Sequence, residues 1–322
     1  MRVREAGQGI SGLRRVLVRP ELVLVLVTFV WGSTFFVTQV MLRDTGPFAI
    51  LAVRFTVGAA ALALMFRRRL SGLTRGEVRT GAVIGVVTFA SYALQTAGLQ
   101  HVTSSRSAFI TSMYVPVVPL LQLVLLRQMP RWAAWLGIAV SFAGLLVLSA
   151  GEGAAVAMGT GEWLTLAGAV MAALQIVLLS RWAAAADPMR LALVQLCIVA
   201  AAAMLAMPLA GEGLPPLTAG VVGGGLGLGL LGTAFALGAM TWAQQTVAAT
   251  RATVIYSMEP VWGGVIGALA GEAMTRSTVG GSVLIVAGVL ISELRWRPAR
   301  RTAVEAMPEL GIEPVEAGRA AA

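Results

Sequence analysis

Two ionisable side chains of this sequence stand in surroundings hostile to charge. Arg54 and Glu259 each lie well inside an apolar block. In a helix that crosses hydrocarbon, an ionised group near the middle costs about 2.5–3.5 kcal/mol, so it persists for function or because it is paired. A carboxyl there can load and release a proton or small cation, which makes Glu259 a candidate coupling group. A guanidinium there can anchor a substrate carboxylate, the corresponding reading of Arg54. The competing reading of both is structural: they pair with each other, or with backbone carbonyls freed by Pro260. Further polar or aromatic candidates for a cavity sit in other apolar blocks: Trp31, Thr34, Tyr92, Gln95, Tyr114, Gln175 and Tyr256. Singly, each fits an interhelical contact or an interfacial aromatic. Only convergence of their helices would make them a site.

Several chemistries are excluded. There is no G-x-x-x-x-G-K-[ST] phosphate loop, and nothing pairs His with Asp or Cys in the manner of acyl or phosphoryl transfer. Cys197 is the one cysteine and His101 the one histidine, which excludes a disulfide within one chain and any multi-histidine or cysteine-based metal site. The expectation is no catalytic residue, no metal and no cofactor.

Long apolar helices must position these residues. Of the 322 residues, 57 % are hydrophobic and 12 % charged. The apolar content falls into blocks of about 20 residues, enough to cross ~30 Å of hydrocarbon. The sequence predicts ten membrane helices, at 22–41, 46–66, 80–100, 106–126, 131–150, 161–182, 188–209, 219–243, 252–271 and 277–294. Arg54 is then the ninth residue of the second helix, about 12 Å from its outer end, and Glu259 the eighth of the ninth, about 10 Å from its inner end. The net charge of +9 comes from arginines in short clusters between apolar blocks, which excludes a nucleic-acid-binding face. Every basic residue is arginine. With the N-terminus inside, arginines crowd the segments 2–19, 67–79, 127–131, 181–190, 251 and 295–319. The opposite loops hold Arg43, Arg106 and Arg276. Positive loops are retained in the cytoplasm, so both termini are expected there. Residues 1–20 lack the apolar core of a cleaved signal peptide and read as a cytoplasmic tail. Residues 295–322, with Pro298, Pro308 and Pro314, read as a disordered one.

Pro116 and Pro260 lie within the fourth and ninth helices, where each removes a backbone hydrogen bond and favours a kink. Read functionally the kinks are gates; read structurally they are fixed bends. Glycines crowd the eighth helix, and Gly263, Gly267 and Gly271 recur at spacing four in the ninth. Close helix packing is the simpler reading of both. The chain also repeats itself. At an offset of 144, Pro116-Val117 matches Pro260-Val261, Gly137 matches Gly281, and Ala143-Gly144 matches Ala287-Gly288. At 145, Arg106 matches Arg251 and Ser112-Met113 matches Ser257-Met258. Five helices per copy, an odd number, places the second copy upside down, a plan recurrent in transporters.

These features together resemble the EamA-type branch of the drug/metabolite transporter superfamily, over residues 20–295. The resemblance rests on Trp31-Gly32-Ser33-Thr34-Phe35, on Pro47 with Arg54-Phe55, and on Ser107-Ala108 through Pro116-Val117. It continues in Met258-Glu259-Pro260-Val261, Gly271-Glu272, and the endings Ala143–Val147 and Ala287–Ile291. It implies a central cavity between two halves, 21–150 and 151–294, and export of a small metabolite, amino acid or drug by alternating access. One departure is plain: where the first repeat often has an acidic residue matching Glu272, this chain has Arg127-Gln128-Met129-Pro130.

The expected fold is therefore an all-α integral membrane protein of ten transmembrane helices in a 5+5 inverted-topology repeat. It is placed in a bacterial cytoplasmic (inner) membrane with both termini cytoplasmic. The expected partners are a small-molecule substrate, the lipid bilayer and protons, with a homodimer left open. The alternatives are multidrug or cation efflux, uptake, and a sensor or assembly protein that transports nothing.

Overall fold

The computed structural model describes residues 19–70, 72–127, 129, 132–149, 158–182, 186–247, 252 and 255–292. The two expected cytoplasmic tails lie almost wholly outside the described residues. Among the described residues all regular structure is helical: α1 Pro20–Met41, α2 Pro47–Leu70, α3 Arg75–Gly98, α4 Ser104–Thr111, α5 Tyr114–Leu126 and α6 Trp132–Ser149. Then come α7 Thr160–Trp182, α8 Pro188–Leu209, α9 Ala219–Gly229, a π-helical segment Leu230–Phe235, α10 Ala236–Ala243, α11 Glu259–Leu269 and α12 Arg276–Ser292. Among the described residues seven helical spans are long and apolar enough to cross a membrane, counting Ser104–Leu125 and Ala219–Ala243 as one span each; α6 and α12 are shorter apolar helices. Cys197 and large side chains such as Leu64, Met65, Val124 and Leu205 are exposed on the helix surfaces, as hydrocarbon contact requires.

Helix starts are capped, because four N–H groups at each have no partner within the helix. Thr74 and Glu77 form a capping box on α3, and the Asp187 carboxylate accepts from Met189 N and Arg190 N on α8. Three acids reach further. Glu77 also accepts from Asp187 N at 3.1 Å. Glu212 accepts from Phe48 N at 3.2 Å and Ala49 N at 2.7 Å, capping α2 from more than 160 residues away. Glu272 accepts from the backbone N–H and the hydroxyl of both Ser104 and Ser105, closing the start of α4.

The predicted fourth and ninth helices are each broken, and not at their prolines. α4 ends at Thr111 and α5 restarts at Tyr114, with a turn over Ser112-Met113; a turn over Ser257-Met258 precedes α11. Pro116 is the third residue of α5 and Pro260 the second of α11, in the first turn, where a missing N–H leaves no bond unmade. The two turns are the Ser-Met pairs that match at an offset of 145. The prolines match at 144 because one more residue separates turn from proline in the first copy.

α6 and α12 pack backbone to backbone. A Cβ on Gly144 would come within 2.7 Å of Ile285 N and 2.8 Å of Gly281 O, and one on Gly281 within 2.6 Å of Leu148 N and 2.8 Å of Gly144 O. A Cβ on Gly288 would meet Gly137 O at 2.6 Å. The glycines that match between the two sequence copies are thus the ones that meet across this crossing. Their contact is reciprocal, as in a two-fold interface. Gly144→Leu must push the helices apart. Overpacking of this kind costs about 1–3 kcal/mol, and the expected result is a lower melting temperature in detergent. Gly280→Leu, where a Cβ has only Val147 at 4.0 Å, leaves it unchanged.

Candidate functional site

The two broken helices meet. Tyr114, the first residue of α5, donates its hydroxyl to Glu259 Oε2 at 3.1 Å, and Glu259 is the first residue of α11. At the offset of 145 these are matching positions, so each copy brings its restart to the same place. Glu259 is 6 % exposed and Tyr114 3 %. Around them lies a cavity of about 50 Å³, room for a few waters in this conformation, so an amino-acid-sized solute is admitted only when the surrounding helices move apart.

Six separate stretches of chain supply the lining, α10 among them with Leu237 and Met240. α1 brings Trp31 and Thr34, α3 brings Tyr92 and Gln95, and the α4–α5 break brings Thr111 and Tyr114. α7 contributes Gln175, and the second break contributes Tyr256, just before its turn, and Glu259, at the start of α11. Eight of the nine candidates named from sequence therefore converge on one cavity. Phe35, Ser91, Thr111, Leu237 and Met240 complete much of the wall without having been singled out. Thr111 had a signal, since it directly precedes the repeated Ser-Met pair; Leu237 and Met240 had none beyond being apolar. The rings stack as a cluster: Trp31 and Tyr256 centroids are 5.7 Å apart, and Tyr114 meets Tyr256 edge-on at 6.5 Å. Gln95 Nε2 donates to Thr111 Oγ1 at 3.1 Å, and Gln244 Nε2 to the Tyr256 hydroxyl at 3.4 Å.

Arg54, the ninth candidate, is outside the lining. It is 3 % exposed; Nε donates to Thr233 Oγ1 at 2.7 Å, Nη2 donates to Gly232 O at 3.0 Å, and the guanidinium lies over the Tyr92 ring at 4.7 Å. Arg54 and Glu259 form no ion pair among the described residues; the guanidinium is held by the π-helical segment instead. In that segment Ala236 N–H reaches back five residues to Leu231 O. Gly232 O accepts from both Arg54 and Trp31 Nε1, the latter at 3.2 Å. A Cβ on Gly232 would come within 2.8 Å of Thr34 Cγ2 and 3.4 Å of Arg54 Nη2, so glycine is what lets two side chains reach this backbone. A lysine offers a point charge without the planar fork. Arg54→Lys is therefore expected to lose melting temperature nearly as far as Arg54→Gln, each bond to the charged group being worth about 1.5–3 kcal/mol. A thermal unfolding series in detergent measures it, and a wild-type melting temperature for the lysine variant would refute this account of Arg54.

A second space, about 410 Å³, opens between α1 and α9 beside Val37, Val40, Gly223 and Gly227. Apart from Ser33 and Thr34 its wall is apolar or glycine, and Thr34 borders both spaces. The glycines of the eighth helix divide accordingly. Gly225 and Gly229 admit Val53 and Val57 of α2, whereas Gly220, Gly223 and Gly227 face open space. In α11, Gly263 and Gly264 pack against Ala108 and Phe109 of α4.

Comparison with known proteins adds an independent line. The sequence profile of the EamA-like transporter family matches twice, over residues 19–150 and 159–294. A protein of Archaeoglobus fulgidus described as an uncharacterized transporter is 30 % identical over 293 residues, covering 89 % of each chain. The uncharacterized inner membrane transporter YedA of Escherichia coli K12 is 28 % identical over 273 residues, 82 % of this chain and 87 % of that one. One solved crystal structure has a TM-score of 0.66 at 18 % identity, covering 85 % of this chain and 96 % of the other, a likeness of fold.

Proposed function

Because the chain belongs to the EamA-like transporter family, within the drug/metabolite transporter superfamily, we propose that it is a secondary-active exporter of a small metabolite or amino acid, working by alternating access through the Glu259 cavity. Membership in this family makes it a membrane transporter of small molecules. Substrate, direction and coupling are the proposal. The observation that carries it is the meeting of Tyr114 and Glu259, from matching breaks in the two halves, beside one small cavity.

In this reading residues 21–150 and 151–294 are inverted repeats of five helices each, in a bacterial cytoplasmic membrane with both termini inside. The arginine bias supports that orientation, and the inner-membrane relative in Escherichia coli supports the placement in a cytoplasmic membrane. Glu259 is the coupling group for protons, and the residues around it contact substrate. Pro116 and Pro260 begin the half-helices that move against each other. Arg54 holds the π-helical segment behind Tyr92 and leaves substrate to others. The test is reconstitution in liposomes and a screen of solute flux with and without a pH gradient. Gradient-dependent flux of a metabolite or amino acid is expected. Absence of flux for amino acids, purines and cationic drugs alike would end the proposal.

A further inference from the structure

Gln175 is a cavity side chain that the fold leaves idle. It is 5 % exposed and lines the cavity from α7, and its Nε2 is buried without a hydrogen-bond partner among the described residues. Buried amide donors are nearly always paired, so an unpaired one on a side chain that lines a cavity points to an acceptor that arrives with a ligand. Its neighbours are occupied: Gln95 donates to Thr111, Ser91 to Gly168 O, and Thr34 to Trp31 O. A further open group is of opposite character. Glu259 uses Oε2 to accept from Tyr114, and Oε1 takes no hydrogen bond among the described residues.

Within the lining itself the charges are unbalanced, the one nearby cation, Arg54, standing behind the Tyr92 ring and in electrostatic reach of Glu259. The guanidinium of Arg54 is engaged by Thr233, Gly232 and the Tyr92 ring, outside the lining. That leaves Glu259 as the one formally charged group in the wall, flanked by the rings of Trp31, Tyr114 and Tyr256, whose faces favour ammonium groups. Resting on the reading of this cavity as the transport site, we infer that Gln175 and Glu259 bind the two ends of one solute. Glu259 takes a protonated amine, and the Gln175 amide takes a neutral acceptor such as a carboxamide or other carbonyl. The site is thereby selective for a cationic amine with a carbonyl over a zwitterion, since no cation in the wall answers a solute carboxylate. Gln175 is its specificity-determining residue.

The test uses the purified full-length protein and a matched set of solutes: leucinamide, isopentylamine and leucine. Each is titrated against the melting temperature to give an apparent Kd, and each is assayed for flux in proteoliposomes. Leucinamide is expected to bind most tightly, isopentylamine roughly fivefold more weakly for want of one neutral hydrogen bond, and leucine weakest. Gln175→Met should bring leucinamide down to isopentylamine and leave isopentylamine unchanged. Gln175→Glu, with an acceptor in place of the donor, should reverse the preference towards 1,5-diaminopentane. Leucine binding the wild type as tightly as leucinamide overturns the inference without any variant. So does a leucinamide preference that survives in Gln175→Met. Flux that persists with either result leaves the transport reading standing; no binding and no flux for any solute brings down both.

Discussion

Glu259→Gln is expected to abolish gradient-driven flux while raising, or at least preserving, the melting temperature. Glutamine keeps an acceptor for the Tyr114 hydroxyl at the same reach, so the contact between the two half-helices survives. It also removes a charge whose burial in hydrocarbon costs about 2.5–3.5 kcal/mol. If Glu259 exchanges protons with solute, the variant cannot discharge a pH gradient, and coupled flux should fall to the level of empty liposomes. A purely structural Glu259 predicts the opposite pair of results, lower stability with coupling intact. Measuring both on one preparation separates the two.

Glu272→Gln is expected to open the cavity at the end of the bundle where α4 begins. The carboxylate accepts from two backbone N–H groups and two hydroxyls of Ser104 and Ser105. Nearby, Gln39 bonds Val102 O and Ser104 N, and Arg106 pairs with Glu162 at 3.0 Å. An amide turns one acceptor oxygen into a donor facing donors. Each bond to a charged group is worth about 1.5–3 kcal/mol, so its loss should raise the open population tenfold or more. At the offset of 144 that the prolines and Gly137/Gly281 share, the matching position in the other copy is Gln128, and it supplies no acid to the opposite end. A cysteine placed at Thr111, with Cys197 changed to serine, reports the change. Its alkylation by a membrane-impermeant reagent should accelerate at least tenfold in the Glu272→Gln background. An unchanged rate would mean the contact caps α4 and holds nothing shut.

The helices were readable because hydrocarbon thickness imposes a length that composition displays. The candidate residues were readable for a related reason: a polar group in an apolar block has few purposes. What escaped was register. Proline suggested a kink at its own position, but it fits the first turn of a new helix, so the breaks fall a few residues earlier, at Ser112-Met113 and Ser257-Met258. The π-helical segment had no mark of its own within a glycine run that packing already explained. Arg54 was weighed as a substrate anchor because its partners, Gly232 and Thr233, lie nearly 180 residues away on that segment. Nothing in the sequence links Glu212 or Glu272 to the helix starts that they cap, which lie more than 160 residues away.

The π-helical segment also sets the phase of the whole eighth helix. At about 100° per residue, an unbroken α-helix would turn Leu237 some 80° away from Gly229. The extra residue of a π turn takes back about 100°, so Leu237 stands almost above Gly229. One face of the helix therefore serves two neighbours in succession, admitting Val57 of α2 at Gly229 and lining the cavity with Leu237 and Met240 farther along. The carbonyl that anchors Arg54 and the apolar floor beneath Glu259 are two results of a single extra residue.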